Sequence, residues 1–421
     1  MRYVKLIFLG VLTSGMLVFF LPQRTLQAQD AGAPSAANPQ LNEDYQQYLA
    51  FFEEVFKKMQ QEYYYPVTVE DFKKFLYIFN TKIYNQLRGE GKTSNYVKWR
   101  SAAFLVDALK APEDVFSRFY PPTVAKEFET TVLGKKIDLG IEGKVTPGGY
   151  LVNRVQIRSD AYAKGLRARD VIVKIGERPV DTLTQKEADD LLVPDEGAQI
   201  ALRYRDHKDL GLKTIEVTSQ EYFKQFVFML PTKVPDVYCI QIQKFNRMTG
   251  EDLERYMNVL LSKKRASLII DLRGNPGGPP LAARAISGFF LKPNEEFAYF
   301  QRRGRPKAWL HVPPFPPEYH FSGDMVILVD AASGSASELF SGVLQHHDRA
   351  VIMGQNTAGQ VFLKSMFYFD DDSMVALVTG RGFQSDDTVF EYDGVTPDQK
   401  IEDSEMDLIN YAAEYLAAKR Q

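Results

Sequence analysis

The 421 residues carry 51 Lys and Arg against 54 Asp and Glu, a net charge of −3, with 45% hydrophobic and 25% charged residues. That balance is ordinary for a folded soluble protein and provides no bulk field to recruit nucleic acid or an anionic membrane surface. The length implies two or three domains of about 150 residues each. A single cysteine, Cys239, excludes a disulfide framework and a cysteine-based metal site.

At the N-terminus, Arg2 and Lys5 precede an apolar run from Leu6 to Leu21 and a polar stretch ending at "LQAQD". This is the three-part layout of a secretory signal over residues 1–28, cut after Ala28. The apolar run falls short of the about 20 residues of a relaxed membrane span, which favours cleavage over retention as an anchor. Either outcome exports the chain, to the periplasm or to the outward face of the cell membrane. Residues 29–42, "QDAGAPSAANPQLN", read as a flexible linker. Residues 43–130 form a helical region. Tyr48, Leu49, Phe52, Val55, Phe56 and Met59 recur at helical spacing, and a second helix opens at Thr68 with Asp71 three positions on as a capping partner. Nothing in this region reads as catalytic.

From 137 to 218 the pattern changes to short strands, "YLVNRVQI", "DVIVKIG" and "QIALRYR", with one helical segment, "LTQKEADDLL", before the last of them. From 225 to 410 buried strands alternate with helices, which predicts an α/β core with a largely parallel sheet, followed by a helical tail over 411–421. The fold class is therefore multidomain α/β: a helical segment, a β-rich module and an α/β core. The basic run "QRRGRPK" (301–307) reads as a solvated connection.

Ligands of parallel sheets bind beyond the carboxyl ends of the strands. Two segments lie there, "DLRGNPGG" (271–278) and "DAASGSAS" (330–337). In the first, Gly277 and Gly278 permit close backbone approach, and their amides are expected to be free to form an oxyanion hole. In the second, three serines precede a helix, and a serine hydroxyl needs a neighbouring base to become a nucleophile.

These segments, together with "EDVFSRFYPP" (113–122), "LGIEGKV", "AYAKGLRARDVIVKIGERPV", "YCIQIQKF", "RAVIMGQNTAG" and "YDGVTPDQ", resemble the tail-specific or C-terminal processing peptidases, exported serine proteases with an inserted PDZ domain. The resemblance covers residues from about 45 to 410. It implies Ser335 as nucleophile, Ala336 with Gly277 and Gly278 as oxyanion donors, and Gln345 as support for the base. It also implies Leu139, Gly140 and Ile141 as the strand edge that captures a substrate's C-terminus. The partners it implies are polypeptide substrates or C-terminal peptides, with an adaptor or a second copy of the chain, and no cofactor. The five histidines show no metal-ligand spacing, so no metal is expected.

One departure matters. Where the family reads Thr-Phe-Gly-Lys, this chain has "TAGQ" (357–360), placing Gln360 at the lysine's position, and a glutamine amide accepts no proton near neutral pH. Lys364 stands where the family often has a glutamine, so the pair is exchanged. Four residues of extended strand span about 13 Å, and Lys364 could replace the base only through a bulge or register shift. His346 lies about 16 Å from Ser335 along a continuous helix. His347 is assigned to the helix end, and His311 and His320 to a Pro-rich loop. Glu338 is read as a structural carboxylate in the first helical turn. Two functions follow: an exported serine endopeptidase of the C-terminal processing type with an unusual base, or a protease-like protein that binds peptide tails or a partner protease without cleaving.

Overall fold

The computed structural model describes residues 39–420 except 264, 389, 391–393 and 403–405. The predicted signal segment lies outside the described residues. The first helix, α1 (Pro39–Glu62), begins inside the predicted linker, so 39–42 are helical. α2 (Val69–Ile78) starts at the expected capping box, with the Asp71 amide donating to Thr68 Oγ1 and the Thr68 amide donating back to Asp71. A π-turn (Phe79–Ile83) leads into α3 (Tyr84–Gly89), followed by α4 (Ser94–Leu109), β1 (Arg118–Tyr120) and α5 (Pro122–Leu133). Phe52, Phe56, Phe72, Phe75 and Phe79 interlock here, with Phe56 and Phe72 stacked at 4.4 Å.

The chain enters the second module on β2 (Lys135–Asp138). It continues through β3 (Ile141–Thr146), β4 (Gly149–Val155), α6 (Asp160–Ala163), β5 (Val171–Ile175), β6 (Arg178–Pro179), α7 (Gln185–Leu191), β7 (Gln199–Arg205) and β8 (Leu212–Thr218), and leaves on β9 (Gln220–Phe223). The entering and leaving strands pair antiparallel, Lys135 opposite Phe223 and Asp138 opposite Gln220. The module is therefore closed by its own two-stranded stem. Its sheet runs β3-β4-β5-β7-β8, all antiparallel, with β3 at one edge and β6 paired to β5.

The core comprises β10 (Val227–Leu230), β11 (Val237–Ile242), α8 (Thr249–Leu261), β12 (Ser267–Asp271), α9 (Pro280–Ser287), β13 (Glu296–Gln301), β14 (Ala308–His311), β15 (Met325–Val329), α10 (Ala336–His346), β16 (Val351–Gly354), β17 (Phe362–Tyr368), β18 (Met374–Phe383), β19 (Gln399–Lys400) and α11 (Leu408–Lys419). Its main sheet runs β10-β11-β12-β15-β16-β19, parallel except for β10, as the strand–helix alternation predicts. α8, α9 and α10 bury one face. The other face, with Cys239, Ile269 and Leu328, is covered by Leu408, Ala412 and Leu416 of α11. The predicted tail is thus a core helix that starts at Leu408, because without it the apolar second face of the sheet would meet water.

A second sheet, β1-β18-β13-β14 with β17 on β18, stands beside the first. The phenylalanine-rich helical region packs on its β17–β18 part through Phe369, Val375 and Leu377. No helix among the described residues is long and apolar enough to cross a membrane.

Candidate active site

The main sheet brings the two predicted segments side by side at the carboxyl ends of β12 and β15. They are stitched by hydrogen bonds: the Gly274 amide donates to Asp330 at 3.0 Å, Ser333 Oγ to the Leu272 carbonyl at 2.9 Å, and both the Gly334 amide and Ser337 Oγ to the Asn275 carbonyl at 3.0 Å. Asn275 is fully buried, its Nδ2 donating to the Ile242 carbonyl at 2.6 Å. One side chain therefore fixes the glycine loop to β11.

Ser335 is half-buried at the N-terminus of α10, with φ 53° and ψ −112°. That conformation is strained for a residue with a side chain, and such strain concentrates at functional sites. Gly277 lies against it: a Cβ there would be 2.7 Å from Ser335 Cβ and would strike the Gly334 carbonyl. A Cβ on Gly278 would collide with the Phe245 carbonyl.

The expected oxyanion donors need one correction. The Gly277 amide donates to Asn275 Oδ1 at 2.8 Å and is not free. The amides of Gly278 and Ala336 find no acceptor among the described residues. Ala336 is the first residue of its helix, where amides lack intrahelical partners and the helix dipole favours negative charge. Gly278 with Ala336 is the pair suited to an oxyanion.

Glu338 does far more than complement a dipole. It is fully buried, and its Oε1 accepts from Thr357 Oγ1 at 2.7 Å and the Gly359 amide at 2.6 Å. Its Oε2 accepts from the Ser335 amide at 2.7 Å and the Gln360 amide at 3.0 Å. Two backbone segments thus share one carboxylate, which holds the amides of Ser335 and Gln360 within about 6 Å of each other. Burial raises its pKa, opposed by these four hydrogen bonds. The sequence signal for this role was Glu338 three residues beyond the serine, but its loop partners are about twenty residues away.

Gln360 is exposed, and its backbone, not its side chain, is fixed to the site. Lys364 lies on β17 at a register break: Leu363 faces Gly380 and Lys364 faces Val378, leaving Thr379 as the extra residue. The bulge is therefore on β18 and not on Lys364's own strand. The Lys364 ammonium sits 4.7 Å from the Phe116 ring centroid and forms no ion pair or hydrogen bond among the described residues. Although the side chain is solvent-accessible, crowding by surrounding protein lowers its pKa, with Asp114 opposing. Asp114 is buried; Oδ1 accepts the Phe116 and Ser117 amides, while Oδ2 has no partner. Lys244, just before the Phe245 that flanks both glycines, is a second lysine whose pKa burial lowers, and it escaped the sequence reading.

Gln345 does not support the base. It sits ten residues along α10, about 15 Å from Ser335, and donates to the Thr396 carbonyl at 3.0 Å and to Asp398 at 2.8 Å. His346 pairs with Ser385 and Asp386, and His347 bonds the Glu296 carbonyl. Asp170, Asp206 and His207 bring ligand atoms within 4.8 Å of one another, yet Asp170 already binds the Arg167 and His207 amides and His207 Nδ1, and Asp206 binds Lys213.

The expected peptide edge is also occupied. The Leu139 amide donates to the Leu192 carbonyl at 3.2 Å, the Gly140 amide to Asp138 Oδ1 at 2.6 Å, and Ile141 is buried. Two of the three amides of residues 139–141 are therefore already claimed.

Residues 236–401, which contain every element of this site except the Asp114 turn, match peptidase family S41. The core is thus similar to the S41 peptidase domain. The carboxy-terminal processing protease CtpA of Bacillus subtilis (strain 168) is 23% identical over 330 residues, covering 76% of this chain and 68% of its own length. Carboxyl-terminal-processing peptidase 2, chloroplastic, of Arabidopsis thaliana is 26% identical over 300 residues, covering 69% and 58%. The chain thus spans three fifths to two thirds of the length of these relatives. Among solved structures, the photosystem II D1 C-terminal processing protease superposes with a TM-score of 0.50 at 19% identity, covering 87% of this chain and 96% of that one. A lipoprotein from Streptococcus agalactiae gives 0.50 at 12%, covering 88% and 96%. These likenesses show that the S41 fold extends across the chain, beyond the S41 core itself.

Proposed function

We propose that the protein is an exported serine endopeptidase of the C-terminal processing type, acting on polypeptides outside the cytoplasm. The observation that carries this reading is Ser335, held in a strained backbone against Gly277, with the amides of the adjoining residues Gly278 and Ala336 unclaimed among the described residues. Strain kept at a helix N-terminus next to two unclaimed donors suits a nucleophile that forms a tetrahedral oxyanion. Ser335 attacks the scissile carbonyl, its proton passes to a base, and the two amides stabilise the oxyanion. The intermediate collapses with cleavage of the C–N bond as the base returns its proton to the leaving amine, and water then hydrolyses the acyl-enzyme to free the serine and a carboxylate.

The base in this proposal is Lys364, exchanged with Gln360. A lysine in a crowded site with no ion pair has the lowered pKa that lets a neutral amine accept a proton. This role requires the Lys364 ammonium to leave the Phe116 ring and approach Ser335 Oγ. Export rests on the N-terminal pattern of basic, apolar and polar segments.

A second reading has its own observation: among the described residues no basic nitrogen is hydrogen-bonded to Ser335, as a binding protein without cleavage requires. Cleavage of an unfolded protein with an apolar C-terminus decides between them. The peptidase reading expects activity that is lost in Ser335→Ala and falls at least about 100-fold in Lys364→Met. Loss in Lys244→Met instead would transfer the role of base. No cleavage by the unmodified protein, with activity appearing in Gln360→Lys, would establish the binding reading.

A further inference from the structure

Asp114 lies in the turn before β1 and is 3% exposed. Its Oδ1 accepts the Phe116 amide at 2.8 Å and the Ser117 amide at 2.9 Å, so one oxygen completes the turn. Oδ2 is equally buried and has no hydrogen-bond partner. A carboxylate oxygen withdrawn from water without a donor is costly, and a fold that retains one points to a use outside the turn.

The cation that faces this turn is Lys364, whose ammonium lies over the ring of Phe116, two residues from Asp114. Ser117 Oγ accepts the Val378 amide at 2.9 Å, and Val378 is the residue opposite Lys364 in the sheet. The carboxylate and the lysine backbone are thus anchored to the same rung of β17 and β18. Crowding by surrounding protein lowers the lysine's pKa, and Asp114 is the one charged group that opposes it. The other polar groups here are committed or neutral. Ser365 is bonded to Thr379 at 2.8 Å, Arg381 of β18 to Tyr65 OH at 3.1 Å, and Lys58 of α1 sits over the Phe367 ring at 5.0 Å. Tyr63 OH accepts the Ala111 amide at 2.9 Å, and burial, with Asp114 adding to it, raises its pKa and keeps it neutral.

We propose that Asp114 is a positioning residue for Lys364: its unpaired oxygen supplies the counter-charge for the ammonium formed when the amine takes the proton of Ser335. The inference rests on the peptidase reading with Lys364 as base. In acylation the Ser335 O–H bond breaks as the oxygen bonds to the scissile carbonyl carbon, and the proton forms the third N–H bond of Lys364. A positive charge created where protein crowds the amine costs more than in water, and a nearby anion offsets that cost. When the proton leaves with the amine product, Lys364 is neutral again. Asp114 acts through the lysine and touches no substrate.

The test removes the charge and keeps the turn. In Asp114→Asn the side-chain carbonyl still accepts the Phe116 and Ser117 amides; in Asp114→Ser a hydroxyl fills the same role more weakly. Lys364 is titrated by NMR in the full chain after isotope-labelled reductive methylation, its resonance assigned by loss in Lys364→Met. Each variant should lower the midpoint by about 1 pH unit, because the anion that favoured the ammonium is gone. The rising limb of kcat/KM should move down by the same amount, and the plateau above it should fall up to about tenfold, the loss of basicity that one unit represents. A turn that merely lost stability would scale the profile without moving its midpoint. An unchanged Lys364 midpoint in whichever variant folds, or a limb that stays in place while the midpoint moves, overturns the proposal. The titration needs no turnover, so a shifted midpoint in a chain that never cleaves keeps Asp114 as the counter-charge of Lys364 and removes only the peptidase reading.

Discussion

At the scale of single residues, Glu338 is the side chain on which the site turns. All four of its contacts are donors, so the ionised form satisfies them all, and an amide would set its own N–H groups against backbone N–H. Glu338→Gln is expected to cost about 2–4 kcal/mol of stability and to slow Ser335 phosphonylation by a fluorophosphonate more than it weakens peptide binding. Urea unfolding and labelling rates measure the two. The pH dependence has a definite sign. The folded carboxyl titrates above its ordinary 4.5, so between 4.5 and the raised value the native state holds a proton that the unfolded chain has released. Stability from this group therefore falls as pH rises through that window. Activity does the opposite, since protonation removes an acceptor from the clamp, and the acidic limb of kcat/KM should lie above 4.5 and vanish in Glu338→Gln. If Lys364 is the base, a second limb rises with pH at a midpoint below the ordinary lysine value of 10.5.

At the scale of elements, the glycine loop and α11 make contrasting cases. The "NPGG" loop was legible because it accompanies the serine-bearing loop at a neighbouring strand end; a glycine pair alone reads as a tight turn. Its internal bonding was not, since an asparagine that turns back onto Gly277 looks in sequence like any turn residue. Gly277→Ala should abolish acylation with little change in the melting of the module, because the added methyl falls on the Ser335 segment. α11 shows the reverse error. Its position at the chain end suggested a tail, yet Leu416 is fully buried against the sheet. Leu416→Ala should lose about 2–5 kcal/mol in denaturant unfolding, an effect a peripheral tail would not show.

At the scale of the whole molecule, the site depends on parts that are far apart in sequence. The Asp114 turn reaches Lys364 only because the Ser117 hydroxyl accepts the Val378 amide at 2.9 Å, fixing the helical region's exit to β18. Arg158 similarly ties the module to α8, with Asp252 buried beneath it. Arg158→Ala should speed limited proteolysis around residues 134–138 and 219–226 while leaving the core's fragments intact on a gel, because the second module then loses its charged anchor to the core. What the sequence determined alone was whatever rests on local spacing: the helical and strand periods, the strand-end position of both loops, the Thr68 capping box, and Ser335 among small residues before a helix. What only the tertiary structure decided was which donors and acceptors remain unclaimed. Gln345 proved engaged elsewhere, Gly277 satisfied by Asn275, the Leu139 and Gly140 amides taken by Leu192 and Asp138, and Lys364 set over the Phe116 ring. The physical reason is that a hydrogen bond is settled by distances of about 3 Å in space, and residues that meet at that distance here are separated by as many as 316 positions in the chain.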